Sequence, residues 1–212
     1  MEQNKYDIAL LQMTGATHEW LQKPRPCGDY IYATDRHILL RVRKSLCAGK
    51  YKTHDKQPKD IEKCMTKADT ALLFDINAVA EVINKLEPTE VVFRCGDCGG
   101  DGEVLWTYED LDGAEHTKRD ECPVCNGSGK VTANASVDEQ NIDINGDWFN
   151  VGQLKKILNT LHSLLNINSV TVEHIGDYRS MRIKVNEDID ALIMPNKTCR
   201  PTAKITLNPI KK

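Results

Sequence analysis

Two eight-residue stretches hold the residues best suited to chemistry in this chain of 212 residues. Cys95-Gly96-Asp97-Cys98-Gly99-Gly100-Asp101-Gly102 and Cys122-Pro123-Val124-Cys125-Asn126-Gly127-Ser128-Gly129 both read C-x-x-C-x-G-x-G. Two residues between cysteines let both thiolates face one point. The glycines that follow let the backbone curl until its N–H groups approach the sulfurs. The 23 residues between the pairs leave room for a hairpin that brings them together. Cys95, Cys98, Cys122 and Cys125 are therefore expected to hold one Zn²⁺ in a closed tetrahedral shell, a structural ion without an open position. Four unrelated free thiols, or a redox pair, are the alternatives. A redox C-x-x-C opens a helix after a strand, which glycine-rich knuckles do not suit. Cys27, Cys47, Cys64 and Cys199 lie far apart and are expected to be single thiols. His116 lies between the pairs, but four cysteines already fill the shell.

Charge is uneven. Residues 36–67 hold ten Lys/Arg against three Asp/Glu, whereas residues 95–130 hold three against nine. Affinity for nucleic acid rests on neutralising phosphates with Lys and Arg, so the cysteine module is not expected to touch it. The basic segment, with Arg41, Arg43, Lys44, Lys50 and Lys52, is the stronger candidate for phosphate contact. Asp35 with His37 is the compact acid–imidazole pair of the sequence, and alternation along a strand would put both on one face. No P-loop, G-x-S-x-G or H-E-x-x-H pattern occurs, and no enzymatic activity is expected.

These residues need a framework. The chain is 40% hydrophobic and 28% charged with a net charge of −3, ordinary for a soluble protein and enough for one large domain or two small ones. The N-terminus lacks a signal-peptide layout and no apolar run is long enough to span a membrane, so a cytoplasmic, reducing location is expected. Tyr6–Thr14 reads as a short helix stopped by Gly15. Tyr30–Val42 reads as two strands with a tight turn at Asp35-Arg36. Residues 44–70 lack an apolar period and read as a solvated connection with at most a short helix.

A repeat follows. Phe74–Leu86 aligns without gaps with Phe149–Leu161, 75 residues later. In both copies apolar residues recur at helical spacing: Ile76, Val79, Val82/Ile83 and Leu86 against Val151, Leu154, Ile157/Leu158 and Leu161. Asp75 and Asn150 are natural N-caps. Each helix is flanked by strands, Glu90–Phe93 following the first and Ser169–Glu173 the second. The second copy turns at Ile175-Gly176-Asp177 and returns through Met181–Val185. The first runs into Cys95 and returns through Lys130–Asn134. The cysteine module thus replaces a hairpin turn in a repeated β-α-β-β unit. The expected fold class is α+β, with residues 1–94 plus 130–212 as one domain and 95–129 inserted. Within the insert, Val104–Tyr108 and His116–Arg119 read as hairpin arms about Asp112-Gly113. Asp190–Pro195 reads as a closing strand, and Ala203–Leu207 as a further strand or a flexible end.

The doubled C-x-x-C-x-G-x-G resembles the cysteine-rich zinc module of DnaJ-type co-chaperones. That family carries four such motifs for two zinc sites; this chain has two, enough for one, and no His-Pro-Asp J-domain signature. Tyr32-Ala33-Thr34-Asp35-Arg36-His37-Ile38-Leu39 is similar to the A-T-D-G-H-R-L turn of bacterial DNA sliding clamps, the DNA polymerase III beta subunit, with Arg36 where the family has glycine. Lys130–Asn134, Phe149-Asn150-Val151 with Leu154 and Leu158, and Leu192-Ile193-Met194-Pro195 resemble that clamp's last domain in the same order. The resemblance implies a clamp-like, processivity-factor-like protein of DNA replication. Clamp helices line the hole with basic faces, which implicates Lys155 and Lys156. Fewer helices than a clamp chain implies a homo-oligomer if a ring forms. The acidic zinc hairpin would dock a protein partner; alternatively the chain is only a protein-interaction module on a clamp-like scaffold.

Overall fold

The computed structural model describes residues 4–53, 65, 71–175 and 180–207. The turn expected at 175–177 and most of the expected 44–70 connection, with Cys64, fall wholly or partly outside them. Helix α1 (Lys5–Gln12) starts where the Asn4 side chain accepts the Tyr6 N–H, and it ends before Gly15 as the sequence suggests. Strands β1 (Arg25–Cys27), β2 (Tyr30–Thr34) and β3 (Ile38–Arg43) follow as antiparallel neighbours. The β2–β3 turn forms at Asp35-Arg36. There the Asp35 carboxylate accepts the N–H groups of His37 and Ile38, both at 3.0 Å.

Both copies of the repeat take the expected order. The first is β4 (Ala71–Asp75), α2 (Ile76–Asn84), β5 (Thr89–Arg94) and, after the insert's β6 (Glu103–Glu109) and β7 (Glu115–Glu121), β8 (Lys130–Ala135). Then β9 (Asn141–Ile144) leads to the second copy: β10 (Asp147–Asn150), α3 (Val151–Asn159), β11 (Ser169–Ile175) and β12 (Ser180–Lys184). The chain closes with β13 (Ile189–Ile193) and β14 (Pro201–Ile205). Asp75 accepts from Asn77 and Ala78 and Asn150 from Gln153, so both predicted N-caps serve. The last turn of the second helix widens into a π-turn over Thr160–Leu164.

Seven strands form one antiparallel sheet in the order β1-β2-β3-β13-β12-β11-β4. Helix α1 packs on β2 and β3, α3 on β13, and α2 on β4 and β11, so the helices cover one sheet face. Between them lies a continuous core in which the repeat-equivalent Phe74 and Phe149 are both fully buried. Alternation along the strands sends Tyr32, Leu39 and Leu192 to the opposite face, where they pack with Met65.

The two copies differ in where their hairpins go. β11 and β12 lie inside the large sheet, whereas β5 and β8 form a separate two-stranded ribbon. Its register runs from Thr89↔Ala135 to Arg94↔Lys130, and Cys95 follows at once. The tail is a strand: β14 lies parallel to β9 in a small sheet ordered β10-β9-β14. No helix among the described residues is long and apolar enough to cross a membrane.

Candidate metal centre

The four cysteines predicted to act together do meet. Their sulfurs lie within 4.8 Å of one another, and all four residues are buried. Cys95 Sγ is 3.8 Å from Cys122 Sγ, and Cys98 Sγ is 3.7 Å from Cys125 Sγ. Tetrahedral thiolates with Zn–S bonds of about 2.3 Å stand about 3.8 Å apart, so an ion of that size fits among them. Such sulfurs resist ionising together. Burial pushes the Cys125 thiol up to about 11. Burial also raises Cys98, but hydrogen bonds from the N–H groups of Gly102 and Gly100 and from the Cys95 and Cys125 thiols together outweigh it and bring that thiol down to about 7. A central cation would relieve the mutual repulsion of thiolates.

The knuckles are built as a matched pair, 27 residues apart. Cys95 N–H donates to the Gly129 carbonyl at 2.9 Å, and Cys122 N–H to the Gly102 carbonyl at 2.8 Å. Gly102 N–H points at Cys98 Sγ from 3.3 Å, and Gly129 N–H at Cys125 Sγ from 3.2 Å. Each of these glycines has a positive φ and no room for a side chain. A Cβ on Gly102 would stand 2.3 Å from the Gly127 carbonyl oxygen, and one on Gly129 2.3 Å from that of Gly100. The glycines of the motif therefore lock one knuckle against the other as well as turning the chain.

Beyond the cage, β6 and β7 pair over Glu103↔Glu121 to Glu109↔Glu115, the hairpin expected there. Its turn is held by Asp110, whose other oxygen is 2.6 Å from His116 Nε2. His116 thus binds a carboxylate, away from the sulfurs. Leu105, Trp106 and Val124 are exposed around a groove of about 470 Å³ that Asp97 and Glu103 also line.

The residues suggested for phosphate contact are dispersed. Arg41 is buried on the sheet face opposite the helices, ion-paired with Asp190 and stacked over the Tyr30 ring at 4.2 Å. Arg43 pairs with Asp188. Lys44 is exposed and donates to the Gly28 carbonyl at 2.5 Å. Lys50 and Lys52 are exposed at the rim of a cleft that also includes Lys23 and Arg25. On α3, Lys155 lies 2.6 Å from an Asp138 oxygen and Lys156 2.9 Å from one of Asp35. Each helix lysine thus has a carboxylate beside it. The Asp35 carboxylate is engaged by backbone and Lys156, and the His37 side chain is not among its partners.

Sequence reasoning missed a row of buried charge. Asp190 receives Arg182 at 3.0 Å as well as Arg41, and Arg182 reaches Glu173 at 3.4 Å. The available signal was single charges set in apolar strands, Met181-Arg182-Ile183 and Ile189-Asp190-Ala191.

No family model matches the chain, nor does any of the curated proteins. Solved structures similar to it include sliding clamps. The DNA polymerase sliding clamp from Bacillus subtilis is 10% identical over 92% of this chain and 62% of its own, with a TM-score of 0.46. The DNA polymerase III beta subunit from Thermotoga maritima is 8% identical over 91% and 63%, with a TM-score of 0.47. That from Pseudomonas aeruginosa is 11% identical over 92% and 64%, with a TM-score of 0.46. The chain therefore spans a little under two thirds of these clamps' length.

Proposed function

We propose that this protein is a non-enzymatic, DNA-associated relative of sliding clamps that serves replication as a processivity factor and carries a structural zinc hairpin. One observation carries the reading. Two of the sequence motifs that resemble clamps, Tyr32–Leu39 and Leu192–Pro195, end up on neighbouring strands, with Ile38 opposite Ile193 and Leu39 opposite Leu192. Met194 N–H then donates to the His37 carbonyl at 2.8 Å, joining the two motifs at their ends. The zinc ion would tie the two knuckles together and close the shell, leaving chemistry to other proteins. With helices α1, α2 and α3 per chain, a ring would take several copies.

Light scattering on a sizing column, with and without nicked circular DNA, tests this. An oligomer that stays with circles and leaves them on linearisation is expected. A monomer indifferent to both forms would end the clamp reading.

The exposed Leu105, Trp106 and Val124 beside acidic Asp97 and Glu103 favour a second reading, in which the hairpin docks a polypeptide and the rest is scaffold. Substituting these apolar residues would then abolish partner binding, and DNA binding would be negligible even at low salt.

A further inference from the structure

Arg41, Arg43, Arg182, Lys155 and Lys156 each have a carboxylate beside them. Four others meet without one. Arg94 at the end of β5, Lys130 at the start of β8, and Lys197 and Arg200 before β14 line one groove of about 450 Å³ at the root of the cysteine module. All four are exposed, none has an ion pair among the described residues, and no acidic residue lines the groove. Half-buried Phe93 and Trp148 supply its aromatic wall.

The groove is built, not a chance meeting of long side chains. Arg94 and Lys130 stand directly opposite each other in register, where like charges destabilise a strand pair. The Lys197–Arg200 segment is fastened beside them. Thr198 O accepts the Arg94 N–H at 3.1 Å, and Cys199 bridges to Phe93. Buried Asn141 donates its side-chain amide to the carbonyls of Asn196 at 3.0 Å and Cys199 at 2.9 Å. Asn196 N–H donates to Trp148 O at 2.7 Å, tying the segment to the aromatic wall. The segments that carry these four positive charges are thus fastened around one groove by hydrogen bonds, and a polyanion lying in it would neutralise them.

We infer that this groove binds a single strand of nucleic acid, with phosphates on Arg94, Lys130, Lys197 and Arg200 and a base against Trp148. Cations alone would take any polyphosphate. The aromatic wall selects a strand whose bases are free to stack, which a duplex does not offer. The groove also touches the cage: Arg94 lies across Gly100, so that a Cβ there would fall 2.4 Å from Arg94 Nε. The inference rests on the DNA association proposed above but not on ring closure.

Fluorescence anisotropy of the full chain with a labelled oligothymidylate of about 20 nucleotides tests it. Four phosphate contacts predict roughly a 50-fold loss of affinity between 50 and 200 mM salt. K197E/R200E, at exposed positions, should weaken binding at least tenfold with an unchanged melting curve. Trp148→Leu should weaken oligothymidylate about tenfold while leaving inorganic polyphosphate competition unchanged. Unaltered oligothymidylate binding in K197E/R200E would overturn the inference, as would a matched duplex that binds as well as the single strand. Circles retained by K197E/R200E without oligothymidylate binding by the native chain would sink the groove and leave the clamp. Groove-dependent binding without retention of circles would do the reverse.

Discussion

Lys156 Nζ and Asp35 Oδ2 meet at 2.9 Å although 121 residues separate them in sequence. The other Asp35 oxygen takes two backbone N–H groups, so one carboxylate closes the β2–β3 turn and also holds α3. Asp35→Ala should cost about 1–2 kcal/mol, the loss of a cap-like acceptor plus a charge-assisted bond. Lys156→Ala removes only a partly exposed pair and should cost less than about 1 kcal/mol. Urea titration of both variants checks the order; equal losses would mean the turn is not what Asp35 stabilises.

Arg36 sits in that turn at φ 87, a conformation L side chains avoid. Arg36→Gly should therefore stabilise the protein by up to about 1 kcal/mol, strain relief exceeding the added freedom of the unfolded chain. The thermal midpoint reads it directly, and a lower midpoint would show that the exposed contact of Arg36 with His18 Nε2 at 3.3 Å matters more.

Asp190 carries the buried row of charge, its side chain only 2% exposed between Arg41 and Arg182. Asp190→Ala removes the carboxylate that two buried guanidiniums share, and should cost about 3–5 kcal/mol. A denaturation midpoint close to that of the native chain would contradict this account.

For the cage, Cys98→Ser and Cys125→Ser should each abolish stoichiometric zinc, measured by elemental analysis, while far-UV circular dichroism changes little. Gly102→Ala leaves all four sulfurs but forces apart a carbonyl 2.3 Å away, and should weaken zinc binding at least tenfold. Stoichiometric zinc in Cys125→Ser would rule out the four-thiolate shell.

Cys47 offers a test by pH. Burial, and then the Asp7 carboxylate, push its thiol up to about 11. Both effects disfavour the thiolate, so at pH 8 only roughly one molecule in a thousand carries it there. Alkylation by iodoacetamide, followed by mass spectrometry, should be slow at pH 8 and rise about tenfold per pH unit until near pH 11. A flat profile would refute the shift.

Elements marked by local signals were legible in the sequence. Asp75 and Asn150 announce helices because a cap needs only the next few residues, and the doubled cysteine pattern announces a shared cage. Long-range pairing was less open to reading. Nothing near Arg41 says that it faces Asp190, because that meeting depends on β3 lying beside β13, 149 residues on. Lys155 and Lys156 look like a basic helix face until the fold brings Asp138 and Asp35 to them. The parallel placement of β14 on β9 and the gathering of Arg94, Lys130, Lys197 and Arg200 have the same origin. A count of charge along a window cannot see residues that only a tertiary arrangement assembles.

The register of β5 with β8 makes the cysteine module portable. Its two ends leave from facing positions, Arg94 and Lys130, and the next pair, joined by Cys95 N–H to the Gly129 carbonyl at 2.9 Å, is one that a two-residue turn could close. Excising 96–128 in favour of Asn-Gly should leave the parent protein folding as before. Conversely, the cassette should graft onto an antiparallel hairpin of an unrelated scaffold whose strand ends supply the contacts that Arg94 makes across Gly100 and Val131 makes on the cysteine cluster.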